Sequence, residues 1–433
     1  MEPVAKTEER FVIGGLAGAR TLRGSIPVRG AKNAALKALA ATLLFKDTVT
    51  LANVPDIEDI ARANELLREL GVKVTRLGAH AYACTPPASQ ASALPPAIAN
   101  KFRASIVFSG PLLARTGRVS FPHPGGCLLG ARPIDLFLNG FAKMGATVGE
   151  KDGVYEIVAP KGGLTGATIF FKNPSVTATE TLILAAILAR GTTVLKNAAR
   201  EPEISALADF LNACGAKISG VGTGEITIKG GKLLSAKKKF VTPPDRIEAG
   251  SFLILAALAG KDVTITECEP AHLLAPIEHL RDAGVSIETG KKTIRVMGAS
   301  PKSPYAACDI KTSEYPGFPT DLQAPMTVFL TQAAGNSRVF ETIFEGRFRY
   351  LDALEKMGAK IETCDPHRII VSGPSLLSGR TLESPDLRAG LAYIIAALVA
   401  TGESVIHNVY TIDRGYERIE ERLQAIGAEI KRI

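Results

Sequence analysis

The sequence contains no tryptophan, few aromatic residues and no apolar run that could cross a membrane. One of its longest apolar runs, residues 391–400 (LAYIIAALVA), is well short of the ~20 residues that a transmembrane helix needs. The first ten residues mix both charge signs and lack the apolar segment of a secretory signal. We therefore expect a cytoplasmic protein with no membrane partner, in which 391–400 is a buried helix.

The sequence also offers no pattern for a zinc site, a disulfide framework or a nucleic-acid surface. Its cysteines are scattered, with no Cys-x-x-Cys pair and no histidines at metal-ligand spacing. The net charge of +8 is a mild excess, and the basic residues form no stripe that could follow a nucleic-acid backbone. Small anionic substrates are the simpler interpretation. The six cysteines are Cys84, Cys127, Cys214, Cys268, Cys308 and Cys364.

What the sequence does contain is a repeat. An amphipathic helix pattern that runs into Gly-(Ala/Val)-x-(Val/Ile) recurs at roughly 70-residue intervals, which is longer than the unit of most solenoids. Each glycine stands where a helix ends in the left-handed region, and a strand is predicted after it. The six glycines are Gly71, Gly145, Gly215, Gly284, Gly358 and Gly427.

A second landmark precedes each of these helices. It consists of a very apolar helix, a short turn and a strand, and the apolar helix is hydrophobic on all sides, which indicates burial. We therefore predict six copies of one α/β unit, arranged as two domains of three units with the apolar helices at their centres. Residues 241–245 (VTPPD) mark the predicted hinge. The six strands centre on Val49, Val119, Val194, Val263, Val339 and Val405.

At residues 30–36 (GAKNAAL) the sequence resembles the UDP-N-acetylglucosamine 1-carboxyvinyltransferases, and the resemblance continues over nearly the whole chain. Several distant motifs in the right order make it specific. The other matching segments are 103–106 (RASI), 124–127 (PGGC), 130–136 (GARPIDL), 197–204 (NAAREPEI), 316–323 (PGFPTDLQ), 386–388 (DLR) and 412–418 (IDRGYER).

The resemblance implies an α/β (α+β) fold, an inside-out α/β barrel in two similar domains. It places residues 31–242 in the first domain and residues 1–30 with 243–433 in the second, with substrates in the cleft between them. The implied reaction moves the enolpyruvyl group of phosphoenolpyruvate onto the 3′-hydroxyl of UDP-N-acetylglucosamine. This is the first committed step of peptidoglycan synthesis, and hence of cell-wall biogenesis, cell shape and cell division in the cell cycle.

Both substrates are anionic, so several cations in fixed geometry are expected. By resemblance, Lys32, Arg132 and Arg414 would hold the phosphate of phosphoenolpyruvate. Arg347 and Arg388 would clamp its carboxylate, while Arg103 and Asn33 would line the same region. No metal and no organic cofactor is implied, and protein partners stay unknown.

Cys127 follows a glycine-rich segment whose backbone can approach a ligand closely. A cysteine near Arg132 and Lys32 should have a stabilised thiolate, whereas the usual lone cysteine is a small buried hydrophobe. The resemblance makes Cys127 a general acid and the target of the antibiotic fosfomycin.

Asp321 follows a Pro-containing turn just before an apolar helix, where an aspartate is usually a helix cap. The resemblance instead makes Asp321 the general base that deprotonates the sugar 3′-hydroxyl. Both roles stay open from the residues alone.

For the nucleotide, the resemblance implies contacts from 132–136 to the uracil and from Ser175 and Val176 to the diphosphate. Within 132–136 these residues are Arg132, Pro133, Ile134, Asp135 and Leu136. Ile343 and Asp386 complete the implied substrate-binding set. The sequence departs from the family at 175–181 (SVTATET), where relatives usually read SVGATEN, and Asn173 replaces the lysine of some members.

Two alternatives remain. The sister enzyme 5-enolpyruvylshikimate-3-phosphate synthase shares the fold and the donor, but the Pro-Gly-Gly-Cys segment and the pair Lys32 and Asn33 argue against it. A catalytically inactive paralogue that binds a UDP-sugar is the other alternative, and the altered segment around Thr177 keeps it open. The retained site residues argue against it: Lys32, Cys127, Asp321, Arg388 and Arg414.

Overall fold

The computed structural model describes residues 9–125, 134–298 and 305–433. Within them the chain divides into two compact units. We call residues 30–125 with 134–243 the Lys32 unit, and residues 9–29 with 244–298 and 305–433 the Asp321 unit. The chain passes from one unit to the other after Arg29 and again after Pro243.

The strands of the described residues are β1 (Phe11–Gly14), β2 (Leu22–Pro27), β3 (Val49–Ala52), β4 (Lys73–Gly78), β5 (Ala81–Thr85), β6 (Arg118–Pro122), β7 (Thr147–Lys151), β8 (Val154–Val158), β9 (Thr168–Phe170), β10 (Thr192–Lys196), β11 (Ile218–Ser219), β12 (Glu225–Lys229), β13 (Phe240–Val241), β14 (Gly260–Thr266), β15 (Ser286–Thr289), β16 (Thr293–Met297), β17 (Ile310–Lys311), β18 (Gly335–Phe340), β19 (Lys360–Asp365), β20 (Arg368–Gly373), β21 (Thr381–Glu383), β22 (Glu403–His407) and β23 (Ile430–Arg432).

The α-helices are α1 (Lys32–Ala41), α2 (Glu58–Glu69), α3 (Pro96–Ala99), α4 (Ser109–Thr116), α5 (Asp135–Lys143), α6 (Val176–Ala186), α7 (Pro202–Ala213), α8 (Arg246–Ala259), α9 (Leu274–Asp282), α10 (Gln323–Leu330), α11 (Leu351–Met357), α12 (Leu387–Val399), α13 (Tyr410–Asp413) and α14 (Ile419–Gln424). Short 3-10 helices cover Thr42–Leu44, Arg103–Phe108, Pro270–Leu273, Thr320–Leu322 and Glu345–Tyr350.

Each unit contains three sheets built to one plan. In five of the six, the strand that follows a buried helix lies between an antiparallel pair of strands on one side and a parallel strand on the other. In the β6 sheet a single parallel bridge from Ala93 to Ser120 takes the place of that fourth strand. The strand orders are β13-β3-β5-β4, β6-β8-β7 and β11-β12-β10-β9 in the Lys32 unit, and β15-β16-β14-β2, β17-β18-β20-β19 and β21-β22-β1-β23 in the Asp321 unit.

The predicted repeat is confirmed at its glycines. Each lies one to three residues beyond the end of an amphipathic helix and adopts a positive φ, between 87° at Gly71 and 111° at Gly358. A side chain at such a position is strained, which is why glycine is found there. The amphipathic helices that end at these glycines are α2, α5, α7, α9, α11 and α14.

The predicted apolar helices are buried, as expected from their uniform hydrophobicity. Every residue of α12 after Leu387 is buried, and so is all of α8 except its first residue. Three such helices form the core of each unit: α1, α4 and α6 in one, α8, α10 and α12 in the other. The prediction of an inside-out α/β architecture is therefore confirmed. No helix among the described residues is long and apolar enough to span a membrane.

At each of the two crossings, the strand that precedes the crossing pairs within the unit that the chain is leaving. β2 precedes α1 in sequence but pairs in parallel with β14 of the Asp321 unit. β13 precedes α8 but pairs in parallel with β3 of the Lys32 unit. In the last repeat, N-terminal β1 inserts between β22 and β23 and completes the hairpin position. This sheet therefore combines strands from the N-terminal and C-terminal parts of the described chain.

Candidate functional site

In the Asp321 unit, three charged residues stand at the starts of the three buried helices. Arg246 begins α8, Asp321 lies in the short 3-10 turn that leads into α10, and Arg388 is the second residue of α12. Because the repeats are equivalent, these positions are equivalent. The fold therefore presents one side chain per repeat at the same end of the helical core.

Asp321 forms two ion pairs. Its Oδ1 lies 2.8 Å from Arg347 Nη2, and its Oδ2 lies 3.2 Å from both Nε and Nη2 of Arg388. The two arginines are buried, whereas 27% of the Asp321 side chain is exposed. Arg347 Nη2 also donates to the Thr320 carbonyl at 3.0 Å. The alternative role of Asp321 as a helix cap is not seen, because no side chain caps this turn.

The charges around Asp321 determine its pKa. Burial alone would raise the pKa of this carboxyl, but the positive charges of Arg388 and Arg347 outweigh burial and hold the pKa well below its usual range. Asp321 is therefore ionised at every physiological pH. In the state described by the structure it is a weak base, since proton affinity falls with pKa.

Two further residues, Tyr416 and Asp386, fix the position of Arg388. The Arg388 Nη1 group donates to the Tyr416 hydroxyl at 2.9 Å, and burial raises the pKa of Tyr416. Asp386 caps α12: its Oδ1 accepts from the backbone N–H groups of Arg388 at 2.8 Å and Ala389 at 3.1 Å. The guanidinium is thus fixed by its partners at both ends and by the helix that carries it.

The other predicted residues of this unit lie on two loops. Ile343 is half-buried after β18, and its N–H donates to Glu341 Oε1 at 2.8 Å. Arg414 is half-buried and directly follows α13, two residues before Tyr416. The structure thus brings Asp321, Arg347 and Arg388 into direct contact, with Asp386 on the same helix end as Arg388.

In the Lys32 unit, Lys32 begins α1 and forms an ion pair with Asp59 of α2. Lys32 Nζ lies 2.7 Å from Asp59 Oδ2, and both side chains are nearly buried. Asn33 follows on the same helix start and is half-buried. Lys32 occupies the place in its repeat that Arg246 occupies in the other unit.

Arg103 and Ser175 mark the other two helix starts of this unit. Arg103 begins the 3-10 helix that leads into α4, in the place equivalent to Asp321. Ser175 caps α6, accepting from the Ala178 N–H at 3.2 Å, and Val176 is the first helical residue. Thr177 is not among the residues with positive φ, so the backbone here does not require the glycine that relatives have.

Of the remaining predicted residues, three lie in the part of the chain that the structure describes and three lie outside it. Ile134 is buried, Asp135 is exposed and Leu136 is half-buried at the start of α5. Cys127, Arg132 and Pro133 lie outside the described residues, so their predicted roles stay predictions.

Burial suppresses the reactivity of other cysteines. It raises the pKa of the Cys84 thiol to about 12 and those of Cys268 and Cys308 to about 11, which keeps these thiols protonated. Cys364 is exposed. No group of His, Cys, Asp and Glu among the described residues could hold a metal ion.

Sequence reasoning missed three partners of the predicted residues. Asp59 and Tyr416 touch Lys32 and Arg388, but only the folded repeats bring them there. The third is Glu341, which contacts the segment before Asp321. For Tyr416 a signal existed, since it lies inside the matching segment 412–418.

The fold places the chain in a structural class first. The enolpyruvyl transferase NikO from Streptomyces tendae aligns with a TM-score of 0.87 at 24% identity, covering 98% of this chain and 99% of that one. An EPSP synthase from Acinetobacter baumannii aligns with a TM-score of 0.73 at 19% identity, covering 98% and 100%. These likenesses establish the fold of the enolpyruvyl transferases.

Sequence comparison gives the family. The family described as EPSP synthase (3-phosphoshikimate 1-carboxyvinyltransferase) matches residues 16–423. Relatives named UDP-N-acetylglucosamine 1-carboxyvinyltransferase are 45% identical in Desulfosudis oleivorans and 46% identical in Magnetococcus marinus, each covering 96% of this chain and 98% of the relative. The chain therefore belongs to the EPSP synthase family, and within it to the UDP-N-acetylglucosamine 1-carboxyvinyltransferases.

Proposed function

We propose that this protein transfers the enolpyruvyl group of phosphoenolpyruvate to the 3′-hydroxyl of UDP-N-acetylglucosamine with release of phosphate. The observation that carries the proposal is 45% identity over 416 residues to a relative bearing that activity in its name. The cluster of Asp321, Arg347 and Arg388 supports it, because it joins a carboxylate to two fixed guanidinium groups. Such groups suit a substrate that carries a carboxylate and a phosphate.

The reaction would proceed by addition and elimination. C3 of the enolpyruvyl group takes up a proton while the sugar oxygen adds to C2, and the resulting tetrahedral intermediate loses phosphate and the C3 proton. No redox step occurs. Positioning and electrostatic stabilisation would supply most of the rate.

In this proposal Arg347 and Arg388 bind the carboxylate of phosphoenolpyruvate. They hold Asp321 in the structure, so the substrate carboxylate and Asp321 would compete for them. Substrate binding would then remove positive charge from Asp321 and raise its pKa toward the usual range, which makes it a better base. The pairing thus keeps the base inactive until the donor substrate is bound.

The roles of the other residues follow the family resemblance. Lys32, Arg132 and Arg414 would hold the departing phosphate, with Asn33 and Arg103 beside them. Cys127 would be the general acid and the residue that fosfomycin alkylates. Ile343 and Asp386 would complete the substrate-binding set. Residues 132–136 would contact the uracil, and Ser175 and Val176 the diphosphate.

The biological setting follows from the reaction. Its product is a precursor of peptidoglycan, so we propose a role in cell-wall biogenesis, cell shape and cell division, carried out in the cytoplasm. Phosphoenolpyruvate and UDP-N-acetylglucosamine are the proposed small-molecule partners.

The sister reaction on shikimate 3-phosphate is the second candidate, because the matching family carries that name. The relatives named for the UDP-sugar are 43–46% identical to this chain, whereas the EPSP synthase structure is 19% identical. The UDP-sugar is therefore favoured. An inactive UDP-sugar-binding paralogue is disfavoured by the paired site residues Lys32, Asp321 and Arg388.

Phosphate release tests the proposal. Purified protein is incubated with phosphoenolpyruvate and either UDP-N-acetylglucosamine, shikimate 3-phosphate or no acceptor. We expect phosphate only with the UDP-sugar. Release with shikimate 3-phosphate would support the sister enzyme, and binding of the UDP-sugar without any release would support the inactive paralogue.

A further inference from the structure

A side-chain device recurs after the inner strand of the sheets. Asn53, Asn197 and Asn408 directly follow β3, β10 and β22 and adopt positive φ angles of 52°, 56° and 56°. Asparagine is one of the few residues that tolerate this conformation. In each case the side-chain amide donates to the carbonyl that follows the adjacent parallel strand. The acceptors are Thr242 at 2.8 Å, Phe171 at 3.0 Å and Ser384 at 2.8 Å.

These asparagine side chains join the ends of two neighbouring strands. The parallel strand and the inner strand end side by side, and a backbone bond such as Thr242 N–H to the Ala52 carbonyl, at 2.9 Å, joins the two ends. The asparagine amide adds a second bond across the same gap. It satisfies a carbonyl at the point where the ladder stops.

Glu341 occupies the same place in the β18 sheet. It directly follows β18, and the equivalent backbone bond runs from the Thr312 N–H to the Phe340 carbonyl at 2.9 Å. Glu341 is not among the residues with positive φ. A carboxylate also cannot donate as an amide does, and instead Glu341 Oε1 accepts from the Thr312 hydroxyl at 3.1 Å.

The remaining bonds of Glu341 lead to the site. Its Oε2 accepts from the Thr320 hydroxyl at 2.9 Å, and Thr320 is the residue before Asp321. Its Oε1 also accepts from the N–H groups of Ile343 at 2.8 Å and Phe344 at 3.1 Å. Glu341 is completely buried, so these bonds are shielded from water.

We propose that Glu341 is a positioning residue for the reaction. It holds residues 320–321 against residues 343–347, the stretch that carries Ile343 and Arg347. The inference rests on the proposed function. Arg347 also bonds both the Thr320 carbonyl and Asp321, so Glu341 and Arg347 fix the same short segment from two sides. Without Glu341, the residue before Asp321 and the backbone of Ile343 would lose the side chain that joins them. A displacement of about 1 Å at a reacting group can cost on the order of 10²-fold in rate.

Two substitutions at Glu341 separate geometry from charge. Glu341→Gln keeps an oxygen that can accept from Ile343 and Phe344, and its amide can donate to the Thr320 hydroxyl. Glu341→Ala removes every side-chain bond and leaves the backbone bonds to His367 in place. The matched control is Asn197→Ala, which removes the equivalent device from the β10 sheet of the Lys32 unit.

The experiment measures kcat and KM for both substrates by phosphate release, well below the melting temperature of each variant. We expect Glu341→Ala to lower kcat at least about tenfold, and Glu341→Gln and Asn197→Ala to stay within about threefold of wild type. Unchanged kcat in Glu341→Ala overturns the inference, and so does an equal loss in Asn197→Ala. A Glu341→Gln variant as slow as Glu341→Ala would also overturn it.

A milder variant covers the case in which Glu341→Ala does not fold. Thr320→Val removes only the hydroxyl that Glu341 Oε2 accepts from and keeps the side-chain shape. We expect its kcat to fall at least about threefold with little change in melting temperature, and an unchanged kcat would count against Glu341. A wild-type protein that releases no phosphate with UDP-N-acetylglucosamine would refute the proposed function itself, which is a different result.

Discussion

In the Asp321 unit the Asp321 carboxylate accepts hydrogen bonds from two arginines, whereas in the Lys32 unit the carboxylate of Glu180 has one ionic neighbour. Lys37 Nζ lies 3.1 Å from Glu180 Oε2, and Glu180 Oε1 has no hydrogen-bond partner among the described residues. Glu180 is completely buried in the middle of α6, while Asp321 stands at a helix start. The two units therefore share one fold, but the Asp321 carboxylate has two arginine partners whereas the Glu180 carboxylate has a single cationic neighbour.

The pKa values of the two carboxyls reflect this difference. Burial raises the pKa of Glu180 to about 7, and Lys37 offsets only part of that effect while Glu203 and Glu201 add to it. At Asp321 the arginines more than cancel burial. The repeat therefore sets the position of a charged residue. The number of hydrogen-bond donors around its carboxylate determines whether the charged form is stabilised.

The largest expected effect is covalent and concerns the cysteines. Fosfomycin should modify Cys127 to completion and abolish activity, faster with UDP-N-acetylglucosamine bound, because only this cysteine is predicted to lie among cations. Cys84, Cys268 and Cys308 should stay unmodified, since burial raises the pKa of each thiol. Peptide mass mapping provides the test, with iodoacetamide as a general reagent that should also label exposed Cys364. A fosfomycin adduct at Cys364 alone would refute the assignment of Cys127.

Arg388→Lys should lower kcat/KM for phosphoenolpyruvate on the order of 10²-fold, although charge is kept. A guanidinium reaches Asp321 and Tyr416 together, and an ammonium cannot reproduce that fixed fork. The control is Arg338→Lys, which alters an exposed ion pair with Asp309 in the same unit. Steady-state kinetics decide, and wild-type efficiency in Arg388→Lys would rule out a clamp at this position.

Asp321→Asn should lower kcat on the order of 10²-fold, the usual scale of general base catalysis. It should also cost about 1–3 kcal/mol of stability, because two buried guanidinium groups lose their anion while the amide oxygen still accepts one bond. Thermal unfolding and phosphate release on one preparation measure both effects. Asp309→Asn, which breaks the exposed pair with Arg338, is the control. An active Asp321→Asn variant with a lowered melting temperature would leave Asp321 only a structural role.

Asp59→Asn should lower kcat/KM about tenfold, because Lys32 would lose the carboxylate 2.7 Å away that fixes its ammonium group. This change tests whether the Lys32 unit, like the Asp321 unit, uses a carboxylate to orient a cation. Asp56→Asn, which breaks an exposed pair with Arg76, is the matched control. Equal kinetics in the two variants would mean that Lys32 needs no orienting partner.

The smallest expected effect on activity belongs to the buried pair of the Lys32 unit. Replacing both partners, Lys37→Met with Glu180→Leu, should leave kcat within about threefold and raise stability by about 1–4 kcal/mol. The gain should grow as pH rises from 5 to 8. Glu180 binds its proton more tightly in the folded state, so its contribution to stability is full at low pH and is lost as pH rises through about 7.

Thermal unfolding of the double variant and wild type at pH 5, 6, 7 and 8 checks this sign. A double variant that is less stable than wild type at pH 8 would show that the pair is stabilising. The two units would then treat buried carboxylates alike.

Much of the fold could be predicted from the sequence because its signals are local. Gly284 and the strand around Val263 are local features of one repeat, and their helix-end and strand roles are confirmed. The sheets that β2 and β13 join could not be predicted from local pattern. Both strands pair in parallel with the inner strand of a sheet, and the sheet that each joins depends on where the chain crosses between the units.

The site could be predicted only as far as motifs reach. Asp321 and Arg388 stand inside matching segments, but their mutual contact across 67 positions of sequence follows from the packing of α10 against α12. Asp59 and Glu341 act through contacts that no short pattern encodes. In the sequence Lys37 and Glu180 are two ordinary helix residues, and the raised pKa of Glu180 arises from its burial in the folded unit.

The choice of acceptor decides whether this protein acts on the UDP-sugar. The protein is given phosphoenolpyruvate with equal concentrations of UDP-N-acetylglucosamine and shikimate 3-phosphate, and the products are identified by mass. We predict that the enolpyruvyl ether of the UDP-sugar forms, with one phosphate released for each product molecule. Formation of enolpyruvylshikimate 3-phosphate, or of no product while wild-type protein is folded, would contradict the account.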